Sequence, residues 1–308
     1  MNAALVTVEK VSKWYGQVIG INEVSLELHP GVVGLLGPNG SGKSTLMKLV
    51  TGQLRPDKGE VKVFGETIWN NCRLYRRMGF CPEQDSFYER MTGRQFLTAL
   101  SRLHGLSEKE STDKAAEILD RLFLTEAGDK KIAGYSKGMR QRVKLGQALM
   151  NDPELLLLDE PLTGMDPFGR TKTIRFIREL AKQGKMILVS SHILHEVEAM
   201  TNEILLMHQG RILAEGNVHA IRELIDKHPH RIFIRCRDYR SLATCLLGHE
   251  DVISARLLPE EGAVEVETCR PDQFYGRLPV LLEENRFVVE ELTSPDDNLQ
   301  SVFQYLVK

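Results

Sequence analysis

Nine consecutive residues, Gly37-Pro38-Asn39-Gly40-Ser41-Gly42-Lys43-Ser44-Thr45, match the pattern G-x-x-x-x-G-K-[ST] at every fixed position. The apolar run Val32-Val33-Gly34-Leu35-Leu36 precedes them, and Leu46, Met47, Leu49 and Val50 follow at helical spacing. The stretch is therefore predicted to be a loop between a buried strand and a helix. Its glycines let the backbone curl with N–H groups inward, where they and the positive end of the helix can hold the α- and β-phosphates of a nucleotide. Lys43 is placed to reach the β- and γ-phosphates, and the Ser44 hydroxyl to bind Mg²⁺. A merely Gly-rich turn has no need of Lys-Ser at its end or of a strand and a helix at its flanks.

A chain of 308 residues is long for one domain and comfortable for two. We expect a boundary near His228-Pro229-His230, with residues 1–228 forming the larger domain and 229–308 the smaller. A formal net charge of −2 gives no general attraction to nucleic acid, and none is expected as a partner. Cys72, Cys81, Cys236, Cys245 and Cys269 form no C-x-x-C pair, which argues against a zinc knuckle or a disulfide framework and fits reduced thiols. No apolar run approaches the ~20 residues needed to span a bilayer, so work at a membrane would require another chain.

Along the chain, Leu5–Val8 and Val24–Leu28 read as an antiparallel pair turning at Trp14-Tyr15-Gly16. Residues 56–59 read as a turn, and short strands are predicted over 60–64 and 78–81. About 85–145 is predicted to be a helical insertion, with a helix start at Ser107 followed by Glu108 and Glu110. An ordinary pair of core helices would show the same spacing. Leu155-Leu156-Leu157-Leu158-Asp159-Glu160 reads as a strand buried on both faces, as in parallel sheets, and is expected beside the strand of the phosphate loop. Helices over 171–183 and 195–200, a strand over 186–190 and a hairpin around Gln209-Gly210 complete an α/β domain. Beyond a helix over 218–226, the remaining residues read as βαββαβ followed by a closing helix over 296–306, a ferredoxin-like order.

Asp159 and Glu160 are adjacent on that strand and so should point to opposite sides. They can divide their labour, Asp159 holding the Mg²⁺ shell and Glu160 facing the water that attacks the γ-phosphate.

With these in place the sequence resembles the ATP-binding cassette (ABC) ATPases. The resemblance rests on landmarks in order across residues 15–192: Tyr15, the phosphate loop, Gln84 in Cys81-Pro82-Glu83-Gln84, Tyr135-Ser136-Lys137-Gly138-Met139 at the signature position, Asp159-Glu160, Gly164-Met165-Asp166-Pro167 at the D-loop, and His192 in Val189-Ser190-Ser191-His192. It implies an α/β P-loop NTPase fold of ABC type, with an antiparallel β subdomain and a helical insertion, and here a small α+β ferredoxin-like C-terminal domain. It also implies ATP and Mg²⁺ as cofactors.

By this resemblance Tyr15 would stack on adenine. Gly37, Asn39, Gly40, Ser41, Gly42, Lys43, Ser44 and Thr45 would hold the phosphates, and Ser44, Gln84 and Asp159 the metal. Glu160, His192 and Lys43 would carry the catalysis. Taken alone, Tyr15 could be a core aromatic beside Trp14, Gln84 any loop glutamine, and His192 a satisfied polar residue. The signature departs from Leu-Ser-Gly-Gly-Gln at Tyr135, Lys137 and Met139 but keeps Ser136 and Gly138.

In the family the signature of one copy covers the nucleotide of another. The resemblance thus implies a homodimer of ATPase subunits in which Ser136, Gly138, Met139 and Asp166 act in trans, with a separate polytopic membrane subunit as partner. The place of work would be the cytoplasmic face of a membrane, peripherally. Tyr-Ser-Lys-Gly-Met resembles the signature of exporter ATPases of the daunorubicin and sodium-efflux groups. A soluble ABC ATPase acting on ribosomes is the alternative. Two cassettes and a charged linker are usual there, and this sequence has neither. A DNA-repair ATPase would bring a long coiled coil and a zinc site, which it also lacks.

Overall fold

The computed structural model of the protein describes residues 4–217 and 230–294. The chain divides into two compact units, Met1–Asn217 and Val218–Lys308. The boundary expected at 228 and the helices expected over 218–226 and 296–306 lie outside the described residues.

The first unit opens with a hairpin of β1 (Val6–Tyr15) and β2 (Val18–Leu28). Both strands run well past the apolar ends seen in the sequence. The pairing shifts register between Val8 and Val11 and again nearer the turn, and each shift breaks the alternation while keeping Val6, Val8, Val11, Ile21 and Val24 on the buried face. β3 (Gly31–Leu36) leads through the phosphate loop into α1 (Lys43–Val50). β4 (Lys58–Val63) and β5 (Glu66–Thr67) then complete an antiparallel sheet in the order β2-β1-β4-β5. β4 takes up Lys58 and Gly59, which the sequence reading gave to a turn.

After α2 (Cys72–Tyr75) and β6 (Met78–Cys81) comes the helical insertion: α3 (Gly93–Leu103), α4 (Glu108–Arg121) and α5 (Lys137–Leu149). Capping boxes start α3 at Thr92 with Gln95 and α4 at Ser107 with Glu110. Their apolar faces meet α5 through Phe96, Leu97, Ile118, Leu119 and Val143. The chain returns to the core as β7 (Leu155–Asp159), α6 (Pro167–Lys182), β8 (Met186–Ser191), α7 (Leu194–Glu198), β9 (Glu203–His208) and β10 (Arg211–Asn217). α6 begins four residues earlier than its periodicity suggested, because Asp166 caps it through Gly169 N–H and Pro167 fits the first position.

The main sheet has the order β10-β9-β3-β8-β7-β6. This corrects one expectation: β7 is not the neighbour of β3, since β8 lies between them, parallel to both. The intervening strand puts about 10 Å between the strand ends that carry the phosphate loop and Asp159, the width of a phosphoryl group and its surroundings. All five residues of β7 and all six of β8 are buried, which is why they read as unbroken apolar runs.

The second unit comprises β11 (His230–Cys236), α8 (Tyr239–Leu247), β12 (Val252–Leu258), β13 (Ala263–Thr268), α9 (Pro271–Glu284) and β14 (Val289–Thr293). The sheet is antiparallel, in the order β12-β13-β11-β14, which is the ferredoxin-like arrangement. Ile232, Ile234, Val264 and Val266 pack against Leu242, Leu246, Phe274 and Leu278 from the helices.

Candidate functional site

In the phosphate loop Gly40 (φ +80°) and Gly42 (φ +107°) take left-handed conformations open to glycine without steric cost. Lys43 lies in the first turn of α1, and its Nζ donates to the carbonyl oxygens of Gly37 at 2.7 Å and Pro38 at 3.2 Å. Burial lowers the Lys43 pKa from its usual value, while the carboxylates of Glu160, Asp159 and Glu83 oppose the shift. Tyr15 stands at the rim, about half exposed, with its hydroxyl 3.4 Å from Thr45 Oγ1 and its ring packed over Gly20.

Asp159 ends β7, but Glu160 does not continue the strand. Its φ of +49° places it in the left-handed region, a costly conformation for a side-chain-bearing residue. The two acids are thus aimed by a backbone turn and not, as expected, by the alternation of a strand. One hydroxyl of β8 secures both: Ser190 Oγ donates to Asp159 Oδ1 at 2.6 Å and accepts from Glu160 N–H at 2.9 Å. From α5, Gln141 Nε2 donates to the Glu160 carbonyl oxygen at 3.1 Å.

The Glu160 carboxylate, 8% exposed, faces His192 Nδ1 with both oxygens at 3.0 Å and Lys43 Nζ at 4.0 Å. Burial raises its pKa above the usual glutamate value, and His192 and Lys43 restrain the rise. A carboxylate so placed can accept a proton from water at a pH closer to neutrality than a free glutamate prefers.

Gln84 is exposed in the stretch after β6. The backbone on either side of it is held from α5. Lys144, almost fully buried, donates to the Glu83 carbonyl oxygen at 2.6 Å and pairs with Asp85 at 3.0 Å, and Arg140 pairs with Glu89 at 2.8 Å. Sequence reasoning missed Ser190, Gln141 and Lys144. For the last two a signal existed, since they share one face of α5 with Leu145 and Ala148, an otherwise apolar row.

The expected trans residues form a second cluster. Ser136 caps α5, its Oγ accepting from Met139 N–H at 3.2 Å. Lys137, the departure from the usual glycine, lies so close over Gly164 that a Cβ there would stand 2.3 Å from Lys137 Cδ. Gly138 differs: a Cβ on it would make only ordinary contact with Met165 Cα at 3.5 Å, so packing within this chain does not demand glycine there. Asp166 is exposed at the start of α6.

The donors expected for a metal, Ser44, Asp159 and Gln84, offer only oxygen, the ligand type of Mg²⁺. Among the described residues no group of three or more His, Cys, Asp or Glu could hold a metal ion. No helix among the described residues is long and apolar enough to cross a membrane.

A family model described as ABC transporter matches residues 21–163. The bacitracin transport ATP-binding protein BcrA of Enterococcus faecalis is 35% identical over 306 residues, 98% of this chain and 96% of its own. The daunorubicin resistance ATP-binding protein DrrA3 of Streptomyces coeruleorubidus is 35% identical over 219 residues, 70% of this chain and 69% of its own. Among solved structures, an ATP binding subunit of an ABC transporter superposes with a TM-score of 0.65 at 29% identity, covering 72% of this chain and 93% of that one.

Proposed function

From the premise that this chain belongs to the ATP-binding proteins of ABC transporters, an ATP-hydrolysing family, we propose that it is the nucleotide-binding subunit of an exporter. The observation that carries the catalytic part is the buried Glu160 carboxylate between His192 and Lys43. Lys43 and the loop from Gly37 to Thr45 hold the phosphates of ATP, Tyr15 covers the adenine, and Ser44, Asp159 and Gln84 hold Mg²⁺. Glu160 takes the proton of the attacking water, and His192 keeps the carboxylate aimed.

Two chains close head to tail, so that Ser136, Gly138, Met139 and Asp166 of one complete the site of the other. The N-terminus of α5 then offers its N–H groups to the γ-phosphate. Hydrolysis removes the group that both chains grip, and the pair reopens. The helical insertion and the Gln84 stretch pass this motion to a separate membrane subunit on the cytoplasmic face. A role in transport is supported by the near full-length likeness to a bacitracin transport protein, and export by Tyr-Ser-Lys-Gly-Met at the signature.

Glu160→Gln is expected to bind ATP normally and to lose about 100-fold in turnover, about 2.7 kcal/mol. Near-normal hydrolysis in that variant would remove Glu160 from its role. Recovery of the tagged chain from detergent-solubilised membranes with a polytopic protein supports the transport reading. Recovery with ribosomes and no such protein overturns it.

A further inference from the structure

A line of polar contacts that the catalytic scheme does not use connects the Asp166 turn to His192. Arg170, one turn into α6, donates from Nε to the Met165 carbonyl oxygen at 3.1 Å, and its Nη1 forms an ion pair with Glu196 Oε1 at 2.9 Å. Glu196, on α7, is 6% exposed, and its other oxygen accepts from Ser191 Oγ at 3.2 Å. Ser191 Oγ in turn accepts from Ile193 N–H at 3.0 Å, so this hydroxyl closes a small turn around His192. The path runs from the Met165 carbonyl through Arg170, Glu196 and Ser191 to the residue that faces Glu160.

A buried acid paired with one cation is a poor means of gaining stability, since apolar residues of the same volume often serve as well. It does fix geometry, because beside the ion pair each partner holds a hydrogen bond of its own, Arg170 to the Met165 carbonyl oxygen and Glu196 to Ser191 Oγ. Arg170 spans 3.1 Å to one loop and 2.9 Å to one helix with a planar, rigid fork. The loop it joins carries Asp166, which is exposed, and the helix it joins begins two residues after His192, which has no contact with Asp166 among the bonds described.

We propose that Arg170 and Glu196 are positioning residues that fix His192 relative to the Asp166 turn, so that what Asp166 meets on a second copy of the chain is transmitted to Glu160. The inference rests on the dimeric reading above for what Asp166 meets, and on this chain's own contacts for the path.

The test is steady-state ATP hydrolysis with Mg²⁺ by the full-length chain and its variants. Glu196→Gln keeps an acceptor for Ser191 and removes the charge pair. Arg170→Met removes both the hydrogen bond to the Met165 carbonyl oxygen and the ion pair with Glu196. Each is expected to lower kcat roughly tenfold, as a small misplacement of a catalytic group does, with KM for ATP unchanged. The double variant should be no worse than the poorer single, because the pair acts as one unit. Arg170→Lys, which keeps the cation, should recover part of kcat. Equilibrium binding of a fluorescent ATP analogue confirms that each variant is folded.

Normal kcat in Glu196→Gln, a rise in KM matching the loss of kcat, or a double variant whose loss is the product of the singles would each overturn the proposal. If Glu196→Gln does not fold, the comparison of Arg170→Lys with Arg170→Met decides, and equal kcat values overturn it. An unmodified chain with no hydrolysis refutes the functional reading and takes this proposal with it. Normal hydrolysis in both the unmodified chain and Glu196→Gln refutes the proposal alone.

Discussion

In the role proposed for it, Glu160 would concentrate the chemistry of the site in one backbone conformation and one ionisation. Its pKa is raised by burial and restrained by His192 and Lys43, so the acid limb of kcat/KM should lie above the ~4.3 of a free glutamate. The sign follows from the role: a base works when unprotonated, so activity rises with pH through the Glu160 pKa. Removing His192 removes a group that lowers that pKa. In His192→Ala the acid limb should move to higher pH in whatever activity remains, and a limb that stays put would separate the two residues. Lys43 gives the opposite limb. Burial lowers its pKa from 10.5, so loss of its charge should reduce ATP affinity at a lower pH than for a free lysine. A binding titration from neutral to alkaline pH measures this. The residues of the phosphate loop were legible because their requirement is local, a run of glycines and a Lys-Ser pair. The left-handed turn at Glu160 was not, since Glu has no preference for it and two of the groups that hold it there, Ser190 and Gln141, are distant in sequence.

Among the elements, α5 does the most connecting. Its first turn carries Ser136 to Met139, while Gln141 and Lys144, one turn further on the same face, hold the Glu160 backbone and the stretch around Gln84. Lys144→Met keeps the length and apolar bulk of the side chain but deletes its bonds to Glu83 and Asp85. The expected result is a small change in melting temperature, since the apolar body still packs, with faster amide exchange across residues 82–90 by about tenfold or more. Exchange by mass spectrometry checks this, and unchanged protection of 82–90 would mean that other contacts hold the stretch. Helix starts were readable at Ser107 because a capping box is written within four residues. The full lengths of β1 and β2 were hidden, because their bulges interrupt the two-residue period by which strands are recognised. The place of β7 depended on which strand would insert beside β3. Three equally apolar strands cannot be ordered by composition.

For the molecule as a whole, the described residues form two hydrophobic clusters in the first unit and a separate one in the second. Phe274 is fully buried among Ile232, Ile234, Leu242 and Leu278 in the second. Phe274→Ala should destabilise that unit by about 3–5 kcal/mol while leaving ATP affinity in the first unit intact, as followed by calorimetry and nucleotide binding. A parallel fall in affinity would show that the nucleotide site depends on the core of the second unit. The order of the main sheet also sets a schedule for synthesis. The antiparallel sheet can close once residue 67 is made, whereas β3 pairs first with a strand that begins at Met186 and then with one at Glu203. A ribosome therefore releases the phosphate loop long before its strand has a neighbour, and until then Gly31–Leu36 is an apolar strand with two open edges, the state in which such segments seek wrong partners. Contacts of this sequence separation form slowly, so the most recognisable motif of the chain is among the last parts to become rigid.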